Sequence, residues 1–361
     1  MSEPLPEAGW SRDYTSVSSA LVCPPSRSQY LQQCGVMDGD FDYAHAALWR
    51  FGKRFTQPLS ERPVPVEKWS GRHIWGGLFF GNFGHFLMET ISRLWIRGRV
   101  DAESVLFVPR HDALTDFKGY QSALYELLDI GIPARIVTDP VEVDELIVPG
   151  QGFGLGRISR ATPEFKDLLN VMAASIEPDG PEKLYISRTQ FGGQGGVLSE
   201  ACLEANMEAL GYTVIHPQRL SLPRQLALYK AAKHVVGLDG SAFHLFGFVA
   251  REDQRAAIVL RRNSEAFTAI ATQLESFMGH PPVIINALAA DWMPETQNFA
   301  NHQTWGELDF SEVGRCLGAG GFIKKSDVWC APTKAQLAEA VDMAATKAKT
   351  NLKRRASQVN T

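Results

Sequence analysis

HVVGLDGSAFH, residues 234 to 244, decides the fold. A short strand carrying two valines, His234 to Val236, runs into the tight turn GLDGSA and out into an apolar helical start, Ala242 to Phe248. Upstream, KLYIS (Lys183 to Ser187) is a second apolar strand, with Arg188 directly after it. Between the two strands, Ser199 stands where a helix N-cap belongs, Leu203, Met207 and Leu210 make one apolar stripe, and Gly211 stops the helix. Tyr212 to Ile215 is a strand, and Ser221 caps a helix carrying Leu222, Leu226 and Tyr229. Ala257 to Leu260 is the next strand. Strands and helices alternating in this way make a doubly wound α/β unit, whose ligands bind at the carboxyl ends of the strands.

The same alternation is present in the first half. HIWGGLFFG (His73 to Gly81) reads as a buried strand, and Phe83, Phe86, Leu87, Ile91, Leu94 and Trp95 share one side of the helix that follows. Further strands are expected at Ser104 to Val108, Ala134 to Val137 and Glu145 to Val148, with helices from Tyr120 to Leu128 and from Pro163 toward Ile176. Asp179-Gly180-Pro181 marks a boundary. We therefore expect an N-terminal domain over 1–178, with an irregular lead-in over 1–30, and a C-terminal domain over 179–330. The segment 331–361 reads as a helix near Thr333 to Ala348 followed by a basic tail.

Composition excludes several classes. The net charge of −4 offers no basic field for nucleic acid. No apolar run approaches the ~20 residues of a membrane span, and MSEPLPEAGWSRD has no signal-peptide pattern. Five cysteines at irregular spacing form neither a disulfide framework nor a CxxC metal site, so a reducing cytoplasm is the expected setting. Lys347, Lys349, Lys353, Arg354 and Arg355 are a basic run, compatible with a solvated tail or with peripheral contact at the inner face of a membrane.

Three features carry chemistry. The turn from Gly237 to His244 offers glycines and a helix start to a diphosphate; its plain reading is a tight turn. Arg188, at the neighbouring strand end, has the planar fork to clamp such a group; its plain reading is a surface arginine. Asn82-Phe83-Gly84-His85 with Glu89 puts an imidazole and a carboxylate one helical turn apart, a pairing that serves a general base or only stabilises the helix start. Metal signals are poor. Asp38-Gly39-Asp40 and Asp40-Phe41-Asp42 have the DxD form but read as a polar turn, and the nine histidines show no zinc spacing. The loop from Gly192 to Gly196 matches no phosphate-binding fingerprint and reads as a mobile lid.

NFGHFLME, YISR and VGLDGSAFH, in that order, resemble the three motifs of the family 61 glycosyltransferases, which include bacterial members linked to capsular and cell-surface polysaccharides. The resemblance spans roughly Gly76 to Phe248. It departs at Asp239, where the family has histidine, and in the glycine-rich loop that replaces an arginine-rich stretch. What the resemblance implies is a GT-B architecture, two Rossmann-like domains facing each other across a cleft. It further implies an inverting, metal-independent transfer from a nucleotide-sugar donor to a glycan acceptor, without a cofactor. Residue by residue, Glu89 and His85 are the catalytic candidates, with Glu89 preferred as base. Asn82, Arg188, Gly237, Asp239, Gly240, Ser241, Ala242 and His244 are the donor-binding candidates. A non-catalytic glycan- or nucleotide-binding protein, or another transferase acting on sugars such as a pyruvyl transferase, remains the alternative.

Overall fold

The computed structural model describes residues 1–26, 30–111, 114–191, 195–324 and 329–357. The chain divides into two compact units, Met1–Ile176 and Glu177–Thr361.

The first unit is built on a seven-stranded sheet. In chain order its strands are β1 (Tyr14–Cys23), β2 (Gly35–Asp38), β3 (Phe41–Asp42), β4 (Glu67–Phe79), β5 (Ser104–Pro109), β6 (Ala134–Ile136) and β7 (Val141–Pro149). They lie in the order β6-β5-β4-β7-β1-β2-β3. The first four in that order are parallel, and β1, β2 and β3 extend them antiparallel. The helices are α1 (Phe83–Met88), α2 (Tyr120–Leu127) and α3 (Pro163–Ala174).

This sheet is mixed, so the first half is not a plain Rossmann unit. The segment expected as an irregular lead-in also carries a strand, because β1 pairs with β7 from Tyr14↔Pro149 to Val22↔Val141. Its run of serines hid the strand. Ser16, Ser18 and Ser19 are exposed and only Val17 is buried among them, whereas Ala20, Leu21, Val22 and Cys23 are all buried, so Ser19, with φ +50, divides the strand into a half-exposed first part and a second part buried on both faces.

β4 is longer than its apolar core suggests and bulges between Trp75 and Gly77. A Cβ on Gly76 would fall 2.4 Å from the Phe107 ring, and Gly77 has φ +101, so glycine is required at both positions. The strand delivers the chain to Asn82, whose side chain accepts from the Gly84 N–H and caps α1. The expected single helix changes character at Glu89 and continues as a 3-10 helix, Thr90–Ile96, that is buried throughout.

The second unit carries a five-stranded parallel sheet: β8 (Lys183–Ile186), β9 (Thr213–Ile215), β10 (His234–Leu238), β11 (Arg255–Val259) and β12 (Val283–Ile285). The order is β9-β8-β10-β11-β12, with every pairing parallel. Its helices are α4 (Glu200–Ala209), α5 (Leu222–Ala231), α6 (Ala242–Gly247) and α7 (Phe267–Met278). This is a doubly wound order, and strand progression reverses between β8 and β10.

Leu288–Pro294, Trp305–Leu308, Gly196–Val197 and Leu352–Ala356 form a smaller sheet, beside α8 (Phe310–Ala319) and α9 (Lys334–Ala348). The segment expected as a basic tail carries a strand. Leu352–Ala356 pairs antiparallel with Leu288–Pro294, Arg354 pairs with Glu307, and Arg355 donates to the Asn298 carbonyl. α9 starts on a capping box of Thr333 and Gln336 and buries Ala340 and Ala344 against Leu198 and Trp305, so this segment belongs to the second unit. No helix among the described residues is long and apolar enough to cross a membrane.

Candidate functional site

The reversal point between β8 and β10 is where a ligand is expected in an open α/β sheet, and the side chains there are cationic. Arg188 follows β8 directly. A Cβ on Gly240, just past β10, would lie 3.1 Å from Arg188 Nη1, so the missing side chain leaves room for the guanidinium against the turn. Arg261 and Arg262 follow β11. Arg261 donates through Nε to the Asp239 carbonyl at 2.9 Å, and its backbone N–H donates to Asp239 Oδ1 at 3.1 Å. Burial pushes the Arg261 guanidinium down to about 9, and the neighbouring charges of Arg188 and Arg262 push the same way against the pull of Asp239. Burial likewise lowers Arg188, with Glu200 and Asp239 opposing.

Arg261 Nη1 and Arg262 Nε are buried and have no hydrogen-bond partner among the described residues. A buried donor without an acceptor costs about 1–3 kcal/mol, so two at one strand end need a reason, and an anionic ligand supplies one.

The sequence candidates separate accordingly. Arg188, Gly240, Ser241 and Ala242 lie at the strand ends and are partly exposed. Gly237 is buried inside β10, where a Cβ would fall 2.9 Å from the Ile186 carbonyl, so it packs strand on strand. Asp239 is buried and occupied by Arg261. His244 is buried on α6, with Nδ1 2.6 Å from Gln273 Oε1. Those three support the turn rather than line it. Ser199 is the residue before α4, but its hydroxyl makes no cap bond.

α4 holds the site from behind. Glu200 Oε1 accepts from the Arg188 N–H at 2.8 Å and from Tyr185 Oη at 3.3 Å. Burial pushes the Glu200 carboxyl up to about 7, against the lowering effect of the Arg188 N–H. A raised folded pKa means the folded chain keeps a proton that the unfolded chain has released. Stability therefore falls as pH rises from about 4.5 to about 7. Glu200→Gln is expected to melt above wild type at about pH 8, by roughly 1–3 kcal/mol, and to match it near pH 5. Melting curves that stay parallel at both pH values would contradict this.

The first unit holds the second constellation. Glu89 closes α1 and its side chain is 0% exposed. Arg50 grips it with both arms, Nε to Oε1 at 2.8 Å and Nη2 to Oε2 at 2.7 Å. His85 Nδ1 lies 2.7 Å from Oε2 of the same carboxylate. Burial opposes the charge on Glu89, but the His85 hydrogen bond and Arg50 outweigh it and hold its pKa below the ordinary value. The His85 ring stacks on Phe80, is 39% exposed, and has no hydrogen bond at Nε2 among the described residues. A carboxylate that receives Nδ1–H leaves Nε2 as the accepting nitrogen.

Arg50 is absent from the sequence candidates. It lies in a hairpin of Trp49–Arg50 and Lys53–Arg54 whose turn residues, Phe51 and Gly52, both have positive φ. The guanidinium sits 4.0 Å from the Phe55 ring centroid. Nothing in the local pattern at Trp49–Arg54 points to Glu89.

Asp38 and Phe41 pair across a hairpin with Gly39 at φ +56, and the Asp42 carboxylate is bonded twice to Arg54. The DxD triplets are therefore a turn and an ion pair. Among the described residues no three His, Cys, Asp or Glu side chains gather as a metal-holding group. Of the expected lid loop, residues 192–194 lie outside the described residues, and Gly196 pairs with Trp305 as a strand.

Residues 83–257 match the family model of glycosyltransferase 61. The match covers just under half of the chain, takes in His85, Glu89 and the turn from Gly237 to His244, and supports a glycosyltransferase. Arg50, Arg261 and Arg262 fall outside it. Among solved structures, the chain is similar to a dodecameric iron-containing heptosyltransferase, TibC, in complex with ADP-D-beta-D-heptose. The two are 10% identical over 92% of this chain and 94% of that one, with a TM-score of 0.30. No curated protein matches.

Proposed function

We propose that this protein is an inverting family 61 glycosyltransferase that moves a sugar from a nucleotide-sugar to a hydroxyl acceptor, within the synthesis of a surface polysaccharide. The observation that carries the donor site is the gathering of Arg188, Arg261 and Arg262 at the ends of β8 and β11, with two buried guanidinium nitrogens unpaired among the described residues. The second unit takes the donor and the first supplies the base, the division of labour of a GT-B enzyme.

The acceptor oxygen attacks the anomeric carbon as the bond from that carbon to the phosphate oxygen breaks. The electron pair of that bond leaves on the diphosphate, and the arginines neutralise the charge as it grows. The acceptor's proton passes to His85 Nε2. Glu89 keeps the imidazole in the accepting tautomer and stabilises the imidazolium, and Arg50 keeps Glu89 ionised. Glu89, the base expected from the motif, is a carboxylate with no exposed surface and both oxygens engaged, better suited to orient the histidine than to meet a substrate.

Fixed guanidinium groups make a divalent ion unnecessary for holding the diphosphate. Nucleoside diphosphates are therefore expected to raise the melting temperature in excess EDTA, by mass action. If the shift vanishes with EDTA and returns with Mn²⁺ or Mg²⁺, the metal-independent reading is wrong.

A further inference from the structure

Beyond the diphosphate, the sheet edge has a second chemical character. At the ends of β8 and β9, Ser187 Oγ and Thr189 Oγ1 both donate to Glu204 Oε1, the latter at 2.8 Å. The other carboxylate oxygen has no hydrogen bond among the described residues. His216 directly follows β9, with Nδ1 3.9 Å from the same Oε1, buried and without a hydrogen-bond partner among the described residues. No arginine or lysine among the described residues pairs with Glu204. The side chains of Glu204 and His216 are 19% and 22% exposed, so both can be reached from solvent.

The two halves of this edge therefore differ in sign. On one side of β8, guanidinium groups gather at Arg188, Arg261 and Arg262. On the other, a carboxylate is held in place by two hydroxyls. An anionic diphosphate is repelled by a carboxylate and attracted by the arginines. Ribose hydroxyls are donors, and the free oxygen of Glu204 is an acceptor already fixed in place. We infer that the donor lies across the strand ends in one direction, with its diphosphate toward β10 and β11 and its nucleoside toward β9. Glu204 then receives the ribose hydroxyls, and His216 meets the ribose or base. From β9 to β11 is three strand spacings, about 14 Å, which leaves room for the two halves to be recognised by separate groups. This assignment rests on the donor-site reading above and adds which residues distinguish a nucleotide from any other diphosphate.

The test compares a nucleoside diphosphate with inorganic pyrophosphate by titration calorimetry. The tightest binder among ADP, GDP, UDP and CDP serves as the nucleotide. Wild type is expected to bind it more tightly than pyrophosphate. Glu204→Gln and His216→Ala are expected to shrink that advantage by about 10-fold and to leave pyrophosphate affinity unchanged, which also shows that the variants are folded. Arg261→Ala is expected to weaken both ligands. Equal loss of both ligands in Glu204→Gln and His216→Ala, or no loss of either, overturns the nucleoside assignment. Unchanged binding of both ligands in Arg261→Ala, or no binding of either by wild type, overturns the donor site itself.

Discussion

His85→Asn is expected to lower the rate of sugar transfer by about 10²-fold or more, the scale of general-base catalysis, with nucleotide affinity and melting temperature near wild type. The asparagine amide can still donate to Glu89 from near the Nδ1 position, but it presents no basic nitrogen to the acceptor. His85 is partly exposed on a short helix, so the fold tolerates the change. Added imidazole is expected to restore part of the activity of His85→Ala, since the base itself is what is missing. It should not restore Glu89→Gln, whose histidine is present but no longer oriented. Wild-type transfer by His85→Asn, with transfer lost only in Glu89→Gln, would return the role of base to the carboxylate.

The second large effect is on stability. Arg50→Ala leaves the Glu89 carboxylate buried with only an imidazole beside it. Breaking one partner out of a buried ion pair costs about 3–5 kcal/mol, because the remaining charge is stranded. Urea unfolding is expected to show a loss of that size, and a loss below about 1 kcal/mol would mean that water reaches the carboxylate. Arg50→Met combined with Glu89→Leu is expected to recover most of the stability, since it removes both charges. Glu89→Gln is also destabilising, because an amide cannot pair with both arms of Arg50. Because the folded pKa of Glu89 is depressed, its contribution is present above the ordinary carboxylate value and is lost as pH falls through the depressed one.

The sequence was most legible where local pattern and long-range structure agree. KLYIS and HVV are apolar runs followed by punctuation, and each lies in a buried parallel strand, the second running two residues beyond its expected end, to Leu238. His85 and Glu89 could be paired because one helical turn joins them. The antiparallel strand at Tyr14–Cys23 has no two-residue period to read, because exposed serines fill its first half and its second half is buried on both faces. The basic residues after Lys349 gave no strand signal, since Leu352–Ala356 is held by its partner strand and by Glu307 rather than by its own propensity. Arg50 lies 39 positions from Glu89 and could not be assigned to it from spacing. Arg261 and Arg262 follow a recognised strand. Their meaning comes from the reversal between β8 and β10, which is a property of strand order and not of any local stretch.

Sugar transfer separates an enzyme from a protein that only binds nucleotides. The most direct measurement is release of free nucleoside diphosphate when the chain is incubated with a panel of nucleotide-sugars and simple sugar acceptors, in parallel with His85→Asn. Wild type is expected to consume one donor and release its nucleoside diphosphate together with a glycosylated acceptor, and His85→Asn to bind the same donor but turn it over about 10²-fold more slowly or worse. Binding of nucleotide-sugars by wild type with no release beyond that of His85→Asn would contradict this and leave a binding protein on a transferase fold.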